Sequence, residues 1–121
     1  MRIERELMRG AGPLAVLKVL ERGEMYGYEL ASALETRTKG VLAMGQSTLY
    51  PMLYNLESQG LIKAEWREAE SGRGRKYYSL TKQGKKRLAD DTKQWESVVR
   101  ALAALGVVSG NPLPQVEGAG A

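Results

Sequence analysis

The sequence predicts a mainly α-helical fold with one small β-hairpin, and three patterns support this prediction. Leucines recur at helical spacing in three stretches of the first half of the chain. Residues 62–67 then alternate apolar and charged side chains, and a turn-like segment separates them from a second predicted strand at residues 76–80, with Tyr78 and Leu80 on one side, as in a hairpin. Apolar positions spaced 7, 4 and 3 residues apart predict a long last helix over residues 82–105.

The composition of the chain excludes several classes of function. Its 121 residues are the size of one domain, and 18 Lys and Arg against 14 Asp and Glu give a mildly basic net charge of +4. The absence of cysteine and histidine excludes disulfides, Cys/His zinc sites and thiol or imidazole catalysis. The N-terminus lacks the apolar segment of a signal peptide, and no apolar run approaches the ~20 residues that span a bilayer. We therefore expect a soluble, cytoplasmic protein that is not an enzyme and has no cofactor and no metal site.

The first two helices are predicted from their leucines and their end signals. The first is expected to begin at Pro13, after a charged lead-in of residues 1–12, and to end at Gly23. Proline suits a first helical turn, where its missing N–H costs little, and glycine commonly ends a helix. A second helix is predicted within residues 26–35, and the loop after it is expected to include a short extended piece at residues 41–42.

A third helix is predicted in the stretch GQSTLYPMLYNLESQGLI, residues 45–62. Leu49, Leu53 and Leu56 recur at i, i+4 and i+7 and define its buried side. Ser47 or Thr48 is expected to cap the helix, so that Pro51 falls in or next to the first turn. The side that the core does not use, with its flanks, carries small, polar and aromatic residues, namely Ser47, Thr48, Tyr50, Pro51, Tyr54, Asn55 and Ser58.

This outward side has two interpretations. Small hydroxyls allow close approach to a phosphate backbone, tyrosine hydroxyls can donate to phosphates, and the amide of Asn55 can pair with an adenine edge. An ordinary solvated helix face, with Tyr50 or Tyr54 packed against the core, explains the same residues equally well.

The hairpin is predicted to have an apolar face of Ile62, Ala64 and Trp66, with Trp66 in the core. Its tip concentrates Arg73, Arg75 and Lys76 around two glycines. Glycine lets a backbone approach closely and arginine reaches phosphates or a narrow minor groove, so a DNA contact is favoured over a plain soluble turn. A nucleotide-binding loop is disfavoured, because no strand-to-helix junction and no lysine–serine pair follow the glycines.

The last helix is expected to be capped by Thr81 and to pair with a second copy of itself. Its apolar seam consists of Leu88, Trp95, Val99 and Leu102. Core packing between two such helices is the favoured role of Trp95, and a stacking wall for a flat ligand is the alternative. The cations of its first turns are interpreted as a solvated face in preference to an extension of the positive surface; they are Lys82, Lys85, Lys86 and Arg87.

The order of these elements is that of a winged helix-turn-helix with an added C-terminal helix. Residues 13–80 are expected to form the winged helix-turn-helix domain and residues 81–106 the dimerisation helix. The tail, residues 107–121, is rich in Gly, Pro and Ala and is expected to be disordered.

The motifs YGYEL, STLYPMLYNLESQGLI and GRGRKYYSLTKQGKKRL, followed by Trp95, closely resemble the PadR family of bacterial transcriptional regulators. The resemblance covers residues 13–105, and the single C-terminal helix is similar to the short subfamily. It implies a homodimeric repressor that an effector releases, joined through the last helix with help from the first. Some relatives bind flat aromatic molecules between these helices, which makes Trp95 a candidate ligand contact.

The resemblance also implies how DNA is bound. The third helix would enter the major groove and the wing would touch the backbone or minor groove of an inverted-repeat operator. Carried over by position, the DNA contacts are Ser47, Thr48, Tyr50, Pro51, Tyr54 and Asn55, with Arg73, Arg75 and Lys76 on the wing. Relatives often carry a basic residue in place of Asn55, and this departure favours a base contact there over a phosphate contact.

A second function from a different class is a winged-helix module that binds protein and not DNA. Retardation of duplex DNA by the pure protein, weakening as salt rises, separates the two hypotheses.

Overall fold

The computed structural model describes residues 1–109, and the predicted mainly helical fold with a β-hairpin is confirmed. Its elements in chain order are α1 Arg5–Leu20, β1 Met25–Tyr26, α2 Gly27–Arg37, α3 Gln46–Ser58, β2 Ile62–Glu68, β3 Gly74–Leu80 and α4 Lys82–Ala104. Residues 1–91 form one compact unit, and a second unit begins at Thr92, within α4. Most of the tail that was expected to be disordered, residues 110–121, lies outside the described residues.

The sheet has three antiparallel strands in the order β1-β3-β2. The predicted hairpin is confirmed, with a register that runs from the Ile62–Leu80 pair to the Glu68–Gly74 pair. The strand that the sequence analysis missed is β1, which pairs Met25 with Tyr78. Two residues are too few to produce an alternating pattern, so β1 is recognisable only from its partner.

The core lies between the helices and the inner face of the sheet. The three leucines predicted to define the buried side of α3, Leu49, Leu53 and Leu56, are all buried. They pack in one cluster with leucines of α1 and α2, with Leu61 and with Ile62 at the start of the hairpin. Burying a side chain of this size contributes roughly 1.5–3 kcal/mol, so this spacing fixes which side of α3 faces outward.

Several predicted positions are wrong, and packing accounts for the first of them. Helix α1 begins at Arg5 and contains Pro13 in its interior. Proline removes one hydrogen bond there, and the earlier turns gain the burial of Met8. Helix α3 is capped by Gly45 instead of Ser47 or Thr48, because it starts about half a turn earlier. The extended piece expected at residues 41–42 is a turn.

Trp66 was expected in the core but is 69% exposed. It lies on the same face as Ala64, as predicted, but beyond the point where helices cover the sheet. Its ring lies against Gly74 of the neighbouring strand, since a Cβ built on that glycine would be 3.4 Å from the ring. The alternation of apolar residues in β2 thus extends past the core into the wing.

The start of α4 is fixed by Thr81, as predicted. The Gly84 N–H donates to the Thr81 hydroxyl at 2.9 Å, and this hydroxyl donates to the Gly60 carbonyl at 2.7 Å. The helix also packs directly on the backbone at Leu61, because a Cβ on Gly84 would overlap the Leu61 carbonyl oxygen.

Gly84→Ala is expected to lower the free energy of unfolding. Where a helical glycine has free space around it, this change stabilises the helix by roughly 0.5–1 kcal/mol. At Gly84 the added methyl group meets the Leu61 backbone, which cannot move aside as a flexible side chain would. Overpacking of this kind costs about 1–3 kcal/mol, so we expect a lower midpoint in urea unfolding. Lys85→Ala, an exposed change in the same turn, is the control. An unchanged or raised midpoint for Gly84→Ala would contradict the close packing.

Candidate nucleic-acid interface

All six residues of α3 that were expected to contact DNA are exposed: Ser47, Thr48, Tyr50, Pro51, Tyr54 and Asn55. Tyr54 is 71% exposed and projects from the middle of the helix, whereas Tyr50 is 43% exposed. The Tyr50 hydroxyl lies close to Gly27 at the start of α2, where any larger residue would meet it. Tyr50 is therefore partly a packing residue, and Tyr54 is a surface residue.

One flank of α3 faces the wing, and an ion pair joins them. The Lys76 ammonium of β3 lies 3.5 Å from the Glu57 carboxylate of α3 and 5.6 Å from the centre of the Tyr78 ring. Burial is the main cause that raises the pKa of Tyr78, so this phenol stays neutral beside the cation. Lys76 thus has an acidic partner within the chain and helps to fix the wing relative to α3.

The two arginines of the wing lie in different surroundings. Arg73 is exposed at the turn, where the Ala69 N–H donates to the Arg73 carbonyl at 2.7 Å. Gly72 precedes it with a φ of +85°, a conformation that favours glycine. Arg75 lies back on the sheet, with its guanidinium 4.5 Å from the centre of the Tyr26 ring. Of the three predicted wing cations, Arg73 is the one at the tip.

The outer face of the sheet carries a charge cluster that the sequence analysis missed. Arg67 of β2 donates two hydrogen bonds to Glu24, at 2.6 and 2.7 Å, and one to Glu65 at 2.8 Å. Its guanidinium also lies 4.9 Å from the centre of the Tyr77 ring. The hydrogen bond from Arg67 lowers the pKa of Glu24, so this pair stabilises the fold at neutral pH and loses that contribution as acid protonates Glu24. The cluster ties the wing to the segment before β1.

The other flank of α3 borders a groove of about 840 Å³, which we call the arginine groove. It lies within residues 1–91, and one wall is the side of α3 that carries Ser47, Thr48, Pro51, Asn55 and Gln59. Facing this wall are four arginines: Arg2, Arg5 and Arg9 near the N-terminus and Arg87 of α4. The sequence analysis placed the first three in a charged lead-in. The spacing of Arg5 and Arg9 indicates a shared side of a helix, but no signal in the sequence indicates that this side lies beside α3.

The four residues of the predicted seam of α4 lie in two different units of the chain. Leu88 is 4% exposed and belongs to the core of the first unit, so its side chain is already packed within one chain. Trp95, Val99 and Leu102 in the second unit are partly buried, and Val98 and Leu105 are exposed. Of these residues, Trp95, Val98, Val99 and Leu102 share one side of α4 at 100° per residue, and Leu105 directly follows the end of the helix. The apolar surface that remains for a partner therefore begins at Trp95.

The described residues contain neither a metal-binding cluster nor a membrane span. No three Asp or Glu side chains within residues 1–109 lie together as metal ligands. In the same part of the chain, no helix is both long enough and apolar enough to cross a bilayer.

Comparison with known proteins identifies the family. The Transcriptional regulator PadR-like family matches residues 16–90, more than half of the chain. Transcriptional regulator Rv3488 of Mycobacterium tuberculosis is 33% identical over 98 residues, which cover 81% of this chain and 88% of that protein. Transcriptional regulator YqjI of Escherichia coli is 35% identical over 91 residues, which cover 75% of this chain but 42% of that protein.

A solved structure extends the match to the fold. The PadR family transcriptional regulator of Eggerthella lenta superposes with a TM-score of 0.74 at 35% identity, over 86% of this chain and 88% of that one. The resemblance read from the sequence motifs is confirmed, and the chain belongs to the PadR-like family of transcriptional regulators.

Proposed function

We propose that this regulator binds an inverted-repeat operator in duplex DNA as a cytoplasmic homodimer, and that it represses transcription until an effector releases it. The observation that carries the proposal is the outward side of α3, where five polar or aromatic residues and Pro51 are exposed on a helix whose leucines fix its orientation. The side chains exposed at its centre, Pro51 and Tyr54, carry no charge, and cations stand on both flanks.

In this proposal α3 enters the major groove and reads base edges. B-DNA presents a distinct pattern of donors and acceptors there for each base pair, and an α-helix fits the groove. Asn55 and Ser47 are assigned hydrogen bonds with base edges, because both are exposed and uncharged and an asparagine amide can pair with an adenine edge. Tyr54 supplies a hydroxyl for a phosphate or an apolar face for a thymine methyl.

In this proposal the wing binds the sugar–phosphate backbone of DNA. Arg73 is exposed at the tip and is the residue most open to a phosphate or the minor groove. Arg75 and Lys76 have partners within the chain, so they hold the wing in position and add positive potential.

Dimerisation through α4 sets the spacing of the half-sites. Two copies of α3 related by a twofold axis read an inverted repeat whose halves are ~10 bp apart or a multiple of it. The effector contacts Trp95 in the proposal, since a large indole in the apolar stripe of α4 offers a flat surface where smaller aliphatic side chains would pack more simply.

Gel retardation tests DNA binding directly. The pure protein is mixed with duplexes selected from a random pool and with scrambled duplexes, at a series of salt concentrations. We expect binding to the selected duplex to weaken as salt rises, because cations that contact phosphates release counterions. A protein that retards neither duplex at low salt would favour the protein-binding module instead.

A further inference from the structure

The arginine groove is a built surface, because the segment that carries its first arginines is anchored. The Ile3 N–H donates to the Val41 carbonyl in the loop before α3, at 3.2 Å. The Ile3 side chain packs against the core, and Met8 is buried in the first turns of α1. Arg2, Arg5 and Arg9 are therefore held beside α3 by the fold itself.

The groove is positively charged, and the stability of the helix does not account for this. Its lining includes four arginines and one acidic residue, Glu4. Glu6 lies 3.6 Å from Arg9, but both side chains are largely exposed, and ion pairs of this kind are weak and screened by salt. Cations in the first turns of a helix oppose its dipole, so Arg5 and Arg9 do not stabilise α1.

The groove is also continuous with the proposed DNA surface. Ser47, Thr48, Pro51 and Asn55 belong to both, since they line the groove and lie on the outward side of α3. A polymer that places its bases against these residues must carry its backbone past the arginines on one side and the wing on the other. A free acidic peptide has charge in common with DNA but has no reason to follow α3.

We propose that the arginine groove binds the sugar–phosphate backbone along the edge of the major groove that α3 enters. The two flanks of α3 then hold the two sides of the groove, with Arg73 on the wing side and Arg2, Arg5, Arg9 and Arg87 on the other. This inference rests on the proposed function, and it assigns to the N-terminal segment a role in DNA binding.

Affinity measured against salt tests the inference. Arg5→Ala and Arg87→Ala each remove one groove cation, or two per dimer, and Arg22→Ala removes an exposed arginine that lies beyond the other end of α1. Removing one phosphate contact flattens the plot of log affinity against log salt by about 0.9 unit, so the slope of each groove variant is expected to fall by ~1.8 units per dimer. Between 50 and 200 mM salt this makes the loss of affinity about tenfold smaller than for wild type. Arg22→Ala is expected to keep the wild-type slope.

Two further measurements test whether DNA occupies the groove. Arg5→Lys keeps the charge and is expected to restore the slope, which a loss of packing would not allow. Light scattering is expected to show unchanged dimers.

Groove variants that keep the wild-type slope while wild type binds DNA would overturn the inference and leave the proposed function intact. Variants that become monomeric would also overturn it, since the groove would then be an interface between copies. Absence of DNA binding by wild type itself would instead refute the proposed function.

Discussion

Leu102→Glu is expected to convert the dimer into a monomer and to weaken operator binding in the same variant. Leu102 lies partly buried in the apolar stripe of α4, and the pairing of two such stripes would bury it fully. A carboxylate there loses its water without gaining a partner, which costs far more than a truncated leucine. A monomer reaches one half-site at a time, so without the linked second half-site its binding should weaken about 10²-fold or more.

Light scattering at micromolar concentration and gel retardation measure the two effects. Ser97→Glu adds the same charge on the opposite side of α4 and is expected to leave both unchanged. Leu88→Glu does not serve as a test, because Leu88 lies in the core of one chain and its replacement would unfold the protein. A wild-type protein that is monomeric at this concentration and still binds DNA would contradict the proposed dimer.

Asn55→Ala and Arg73→Ala are expected to have opposite signatures in DNA binding. Asn55 carries no charge, so its removal should leave the salt slope nearly unchanged. If its amide makes a bidentate contact with a base, the variant loses ~1–3 kcal/mol of discrimination between operator and scrambled DNA. In the proposed complex Arg73 faces a uniform polyanion, so its removal should weaken binding to all sequences alike. The slope should flatten by about 0.9 unit per phosphate contact, which is twice that for a symmetric dimer.

Affinity for operator and scrambled duplexes across a salt series separates these signatures. Ser71→Ala, an uncharged change in the same turn as Arg73, is expected to behave as wild type. The opposite pattern, with altered base preference for Arg73→Ala and a reduced salt slope for Asn55→Ala, would reverse the roles of α3 and the wing.

The parts of the fold that sequence reasoning predicted are those that depend on repeated local patterns. Three leucines in α3 establish its buried side, because a helix that turns 100° per residue places all three on the same side. The hairpin follows from alternation and the start of α4 from the hydroxyl of Thr81. Each of these signals lies within a short stretch of the sequence, so it can be recognised without the tertiary structure.

The parts that it missed depend on contacts between distant segments. The proline pattern predicts that α1 starts at Pro13, whereas the helix begins at Arg5 and its earlier turns bury Met8. Trp66 kept its predicted side of the strand but lies past the end of the core, a boundary that alternation does not encode. The arginine groove needs the N-terminal segment beside α3, and a hydrogen bond between Ile3 and Val41 brings it there. The charges of residues 1–12, which were expected to form a lead-in, do not indicate that this segment lies beside α3.

The hydroxyl of Thr81 joins two parts of the molecule with different tasks in the proposed function. It donates to Gly60, in the turn that ends α3, and accepts from Gly84, in the first turn of α4. The Thr81 hydroxyl bonds and the packing of Gly84 on the Leu61 backbone therefore join the end of α3 to the first turn of α4. In the proposed function, the segment that presents α3 to DNA and the first turn of the helix that pairs with a partner thus share one hydroxyl group.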